Sequence, residues 1–216
     1  MKGILVTGGE QPDFDLVSQY FLNKTGKEIY ICAADSGLDY CLRHSIRPDY
    51  ILGDMDSLSD KKQLKDFPAE MIEEHSSEKD FTDSELSLNH LREQGCAEII
   101  MIGGGGGRLD HLLALLSIFE RPNPPDLWLT AREEIHHIAD EFHGRGSVNE
   151  MVSLFPVGLK DCTMSSSGLK WPLNTLCWSK GDVGISNRLE TGDYSIKMKT
   201  GRLILIRGLK NPLQSL

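Results

Sequence analysis

Four short apolar runs, at residues 4–7, 28–32, 50–52 and 98–102, end in or beside Gly, Ala or Asp, and amphipathic stretches separate them. Helical spacing is found at 14–23, 38–44, 83–94 and 109–119. In the last stretch Leu109, Leu112, Leu113 and Leu116 recur at i, i+3, i+4 and i+7, which predicts that these leucines form its buried face. Strands alternating with helices predict a mostly parallel sheet covered on both faces, a doubly wound, Rossmann-like α/β arrangement. Residues 127–131 supply its last strand.

Near Gly144 the texture changes. Helical periodicity gives way to short β-rich runs at 152–155, 175–178, 194–198 and 203–206. Gly, Asp, Asn and Pro separate these runs at intervals of about eight to twelve residues, as in a small sandwich or barrel. The segment His143-Gly144-Arg145-Gly146-Ser147 is the best boundary. The expectation is an α/β domain over 1–143 followed by an all-β domain over 144–216.

The 216 residues suffice for one large or two small domains. A net charge of −9 leaves no basic footprint for nucleic acid, and suits metal ions or a cationic small molecule. The five cysteines are scattered without a CxxC pair, which predicts reduced, mostly buried thiols in a cytoplasmic protein. No apolar run approaches the roughly 20 residues of a membrane span, and no signal-peptide pattern opens the chain.

In an open parallel sheet, ligands gather beyond the C-terminal strand ends. Here those ends carry Ala34-Asp35-Ser36-Gly37, Gly53-Asp54-Met55-Asp56-Ser57, Glu78-Lys79-Asp80-Phe81-Thr82-Asp83, and Gly103-Gly104-Gly105-Gly106-Gly107-Arg108-Leu109-Asp110-His111. A single Asp is often only a helix cap or turn former. Carboxylates at four junctions are another matter, because they repel one another unless a cation lies between them. Oxygen ligands in small number, with room for phosphate oxygens, suit Mg²⁺. Asp54 and Asp56, two apart in an extended segment, would project on one side and share the ion.

The glycine run ahead of a helix reads either as a phosphate cradle or as a flexible surface loop, with Arg108 placed for phosphate oxygens. It matches neither the P-loop nor the dinucleotide fingerprint. Thr82 and Glu85 fit a capping box. His111 is either a first-turn helix residue or a catalytic one, while His75, His90, His136 and His137 read as surface residues. In the β-rich part, Trp171 sits in a loop-like Ser165-to-Leu173 segment as either core or a platform for a flat cation. Gly184-Ile185-Ser186-Asn187 reads as a second polar loop, and Trp178 as core.

Taken in order, Ala34–Gly37, Pro48–Ser57, Glu78–Asp83 and Gly106–His111 resemble the successive motifs of thiamine pyrophosphokinases. Gly168-Leu169-Lys170-Trp171-Pro172-Leu173 and Ser186-Asn187 are similar to that family's C-terminal signature. The resemblance implies an ATP-binding α/β domain, a thiamine-binding β-sandwich, and a homodimer whose active sites lie at the subunit interface. It implies that Asp54, Asp56, Asp80 and Asp83 hold Mg²⁺, with Asp35 at the same acidic centre. Lys79, Thr82, Gly104, Gly105, Gly106, Gly107 and Arg108 would serve ATP. Asp110 would act with Arg108 at the phosphates and the thiamine end; Trp171, Asn187 and Ser165 or Ser186 would hold thiamine. The reaction implied is diphosphoryl transfer from ATP to the thiamine hydroxyl, with Asp83 or Asp110 accepting its proton. Ser36, Met55 and Ile185 depart from the family pattern without removing a charge. The rival readings are a metal-dependent phosphohydrolase or other kinase, and a non-catalytic thiamine- or nucleotide-binding module.

Overall fold

A strand buried on both faces reads as an unbroken apolar run, and β1 (Lys2–Val6) is one. Ile4, Leu5 and Val6 are all fully buried. A computed structural model describes residues 1–22, 28–75 and 81–210 of the chain. The chain divides into two compact units, the first made of Met1–Leu115 with Trp128–Arg132, the second of Leu116–Leu127 with the chain from Glu133 onward.

After β1 come the short helix α1 (Phe14–Val17), β2 (Ile29–Ala34), α2 (Gly37–Arg43), β3 (Tyr50–Gly53), β4 (Ile72–Glu74), α3 (Asp83–Glu93), β5 (Glu98–Ile102), α4 (Leu109–Ile118) and β6 (Leu127–Leu129). Hydrogen-bonded neighbours follow the order β6-β5-β1-β2-β3-β4. The pairs β1–β2, β1–β5, β2–β3 and β3–β4 are parallel. The α2 and α3 helices pack against these strands. Because the strands run in parallel, the loops after β1, β2, β3 and β5 emerge at one edge of the sheet.

Helix starts show why the junctions have their sequences. Thr82 accepts from the Glu85 amide while the Glu85 side chain accepts from the Thr82 amide, so the capping box forms. Gly37 opens α2 so close to β1 that a β-carbon there would lie 2.1 Å from the Val6 carbonyl oxygen. No other residue fits.

Two helices differ from expectation. The stretch from Phe14 is α-helical only to Val17 and tightens into a 3-10 turn over Ser18–Phe21. In α4 the predicted buried face is wrong: Leu109 is 68% and Leu113 54% exposed, while Leu115 and Ile118 are buried. Leucines occupy so many of its positions that two faces satisfy the same period. The choice is made by the glycine run, whose Gly104 α-carbon leaves room for the Leu115 side chain.

In the second unit, β7 (Glu133–Ile138), β8 (Glu141–Arg145), β9 (Met151–Val157), β10 (Cys162–Ser167), β11 (Cys177–Trp178), β12 (Gly184–Arg188), β13 (Asp193–Thr200) and β14 (Arg202–Gly208) build an antiparallel sandwich. One layer has the order β12-β9-β14-β7 and the other β11-β10-β13-β8. Along β13, buried Tyr194, Ile196 and Met198 alternate with outward Ser195 and Lys197, the period of a half-buried strand. They meet Val152, Leu154, Leu203 and Leu205 of the facing layer in one apolar cluster. Trp178 packs against this cluster and is only partly buried.

Segments read as loops turn out to be strands: Ser165 lies in β10, and Gly184 to Asn187 form most of the outermost strand β12. The histidines read as surface residues have partners. His90 stacks on Tyr50 with ring centroids 3.8 Å apart and hydrogen-bonds the Tyr30 hydroxyl at 3.1 Å. His75 and His136 lie 3.0 and 3.5 Å from the carboxylates of Glu73 and Glu134. All five cysteines are free, and Cys177 alone among them is exposed. No helix among the described residues is long and apolar enough to cross a membrane.

Candidate active site

At the C-terminal edge of the parallel strands, a cavity of about 860 Å³ is lined by residues of four strand ends and the start of α3. Asp35, Asp54, Asp56, Thr82, Asp83, Gly104, Gly106, Gly107 and Arg108 all border it. Gly105 of the same loop and Asp110 in the first turn of α4 do not line the cavity, whereas His111 does. Lys79 and Asp80 lie outside the described residues.

Asp35 takes up a left-handed backbone, φ 47°, directly after β2, and its amide donates to the Leu52 carbonyl at 3.1 Å. Such a conformation is costly for a residue with a side chain, and marks a position fixed by its surroundings. Asp54 and Asp56 do not sit in an extended segment. Met55 between them is left-handed, φ 58°, and fully buried, and the Asp56 amide donates to Asp54 Oδ1 at 3.0 Å. Burying Met55 in this turn is what sets both carboxylates at the cavity. Asp56 Oδ1 also accepts from the Lys61 ammonium at 2.9 Å.

Glu10, Asp35, Asp54, Asp56 and Asp83 face the cavity against the single guanidinium of Arg108. That guanidinium is paired. Its Nε and Nη2 donate to the two carboxylate oxygens of Asp110 at 3.1 and 2.5 Å. The hydrogen bond from Arg108 holds the Asp110 carboxyl down at about 2. Among the described residues no group of three or more His, Cys, Asp and Glu side chains is gathered closely enough to cage a metal. The donors at hand are all carboxylate oxygens, and Mg²⁺ typically takes one or two of these together with water and substrate phosphates. The residues fit that ion on those terms.

The sequence reading missed the loop after β1. Thr7, Gly8, Gly9 and Glu10 line the cavity, as do Ser57 and Ser84. The strand-end rule that picked out the other junctions applies equally to Thr7-Gly8-Gly9. The absence of an Asp hid it.

In the second unit, Trp171 is 52% exposed, with the Lys170 ammonium 5.0 Å from its ring centre. Asn187 is almost completely buried. Its Oδ1 accepts from the Trp171 amide at 3.2 Å and its Nδ2 donates to the Trp171 carbonyl at 2.8 Å. Ser186 beside it is left-handed and exposed, its amide donating to Ser153 Oγ at 3.2 Å. Ser165 alternates with buried Met164 on β10 and so faces away from the sandwich core. It is Ser166 that ties down the tryptophan loop, accepting from the Leu173 amide at 3.0 Å.

Comparison with known proteins agrees with this geometry. Residues 21–129 match the family model described as thiamin pyrophosphokinase, catalytic domain, and residues 136–205 match thiamin pyrophosphokinase, vitamin B1 binding domain. Thiamine pyrophosphokinase 2 of Arabidopsis thaliana is 30% identical over 171 residues, which cover 68% of this chain and 61% of that protein. Thiamine pyrophosphokinase of Bacillus subtilis is 26% identical over 180 residues, 80% of this chain and 84% of that one. The crystal structure of the Bacillus subtilis enzyme superposes with a TM-score of 0.79 at 23% identity, covering 97% of this chain and 100% of that chain. With both family models matched in sequence order, this chain belongs to the thiamin pyrophosphokinase family.

Proposed function

We propose that this chain transfers the diphosphoryl group of ATP to the hydroxyl of thiamine, giving thiamine diphosphate and AMP. The observation that carries the reading is the single cavity in which Asp35, Asp54, Asp56 and Asp83 face Arg108 and the glycine run. The α/β unit, read as a doubly wound, Rossmann-like fold, binds ATP, and the β-sandwich built from Glu133 onward binds thiamine. Two copies pair as a homodimer to bring Trp171, Asn187 and Ser165 or Ser186 of one chain to the acidic site of the other. The setting is the cytoplasm.

Asp54, Asp56 and Asp83, together with Asp80, would hold Mg²⁺. When bound, the ion neutralises the triphosphate and the charge that develops as the diphosphoryl group moves. Arg108 exchanges its Asp110 partner for phosphate oxygens, a bidentate swap that its planar fork permits. Gly106 and Gly107, which line the cavity, would bring the backbone of the glycine run beside the same oxygens. The bond from the thiamine oxygen to the β-phosphorus forms as the bond from that phosphorus to the α-phosphate oxygen breaks, so AMP leaves. Asp83 takes the hydroxyl proton, because it lines the cavity and Asp110 does not. The surplus of carboxylates also favours the thiazolium cation.

Product analysis with thiamine, ATP and Mg²⁺ tests this. AMP and thiamine diphosphate are expected. ADP with thiamine monophosphate, or phosphate release without thiamine, would overturn the reading.

A further inference from the structure

The loop after β1 contains none of the site's aspartates, yet it touches the junctions that carry them. The Thr7 hydroxyl lies 3.0 Å from the Ser84 hydroxyl, and both side chains are buried at 7% exposure in the wall of the cavity. Gly8 passes so close to Ser36, next to Asp35, that a β-carbon on it would fall 2.5 Å from Ser36 Oγ. The Gly8 carbonyl accepts from the Gly104 amide at 2.8 Å, and the Glu10 amide donates to the Gly105 carbonyl at 2.9 Å. Thr7 itself is pinned, its amide donating to the Ile102 carbonyl at 2.9 Å and its carbonyl accepting from Gln11 Nε2 at 2.6 Å.

The Thr82–Glu85 capping box fixes how α3 begins but not where that beginning stands over the sheet. Ser84, Ser87, Leu88 and Leu91 make up the buried face of α3. An aliphatic side chain at position 84 would continue that face, and a buried hydroxyl costs free energy unless it is bonded. The partner is Thr7, 77 residues away in the sequence. We propose that Thr7 and Ser84 are positioning residues for the transfer reaction, a hydroxyl pair that locks the first turn of α3, and with it Asp83, to the end of β1. This inference rests on the diphosphoryl-transfer reading. It adds that a hydroxyl pair between the loop after β1 and the first turn of α3 sets the geometry of the acidic site.

The test compares wild type with Thr7→Val, Ser84→Ala, the double variant and Thr7→Ser. Steady-state rates are measured alongside calorimetric affinity for Mn²⁺ with a methylene-bridged, non-transferable ATP analogue. Small misplacements of reacting groups are expected to lower kcat by about ten- to a hundredfold in each single variant. KM for thiamine should stay within about twofold, because nothing at the tryptophan loop has changed. The double variant should be no worse than the weaker single one, since either change breaks the same bond. Thr7→Ser keeps the hydroxyl and should restore turnover. Singles that keep wild-type kcat, losses that add, or a Thr7→Ser variant as poor as Thr7→Val would overturn the proposal. Should Thr7→Val fail to fold, Ser84→Ala against Ser84→Thr decides by the same comparison. If wild type forms no AMP, the parent reading fails; analogue affinity unchanged in Ser84→Ala would then overturn the inference on its own.

Discussion

The carboxylate of Asp35 rests against the α-carbon of Gly53: a β-carbon on Gly53 would fall 1.9 Å from Asp35 Oδ1. Gly53 ends β3 with φ +148°, a backbone that side-chain-bearing residues rarely adopt, and its successor is Asp54. The ends of β2 and β3 are therefore shaped by one another, and two acids of the cavity depend on one glycine. Gly53→Ala is expected to destabilise the fold by about 1–3 kcal/mol through backbone strain and displacement of Asp35. It should also lose most turnover. Urea denaturation with a product assay checks both; wild-type values in each would show that the contact has slack.

Arg108 and Asp110 give a pH signature. The hydrogen bond from Arg108 lowers the Asp110 carboxyl from its ordinary 3.8 to about 2. The folded value lies below the unfolded one, so the pair's contribution to stability is complete above the unfolded pKa and vanishes as pH falls through about 2. Carbon-13 titration of the labelled side chain should place Asp110 near 2 in wild type and at about 3.9 in Arg108→Ala. An unchanged value in the variant would mean that the pair is absent in solution.

A second pairing lies inside the sandwich. Arg207 Nε donates to Glu134 Oε1, Arg207 Nη1 donates to the Arg145 carbonyl at 2.7 Å, and His136 stands 3.5 Å from Glu134. Burial pushes Glu134 up, but the hydrogen bond from His136 and the charge of Arg207 overcome it, and its pKa falls below the ordinary range. Stability from this group is thus present at neutral pH and lost on acidification. Glu134→Gln leaves a guanidinium largely buried without its counter-charge, and should cost about 3–5 kcal/mol in guanidinium chloride denaturation. Replacing both partners with apolar residues of similar volume should recover most of that loss.

The acidic junctions were legible because parallel strands collect ligands at one end, so Asp after an apolar run carries positional meaning. The same logic reaches the Thr7–Glu10 loop, but that loop has no Asp, and its hydroxyl, backbone and one Glu look like any turn. The buried face of α4 was not legible, since Leu109 to Leu116 fits two helical faces and only the groove over Gly104 chooses between them. Strand β12 was disguised by residues that favour turns. Its ladder with β9 shifts register between Gly184 and Asn187, and Ser186 within it is left-handed. Histidine partners such as Tyr50 for His90 are set by tertiary contact, which spacing along the chain cannot reveal.

Asn187 anchors the loop that carries Trp171. Its amide bonds the Trp171 backbone in both directions, at 3.2 and 2.8 Å, and its Oδ1 also accepts from the Arg188 amide at 2.8 Å. The outermost strand therefore grips the loop that presents the indole. If that face carries the thiazolium, Trp171→Ala removes a cation–π contact of about 0.5–2 kcal/mol. KM for thiamine should then rise by roughly two- to thirtyfold, with KM for ATP little altered. Asn187→Ala should reproduce this selective rise although the indole is still present, because the loop has lost its anchor. Trp171→Phe should lie between wild type and Trp171→Ala. Equal changes in the two KM values for Asn187→Ala would instead point to general loosening of the sandwich, and thermal unfolding of the same variants would separate these outcomes.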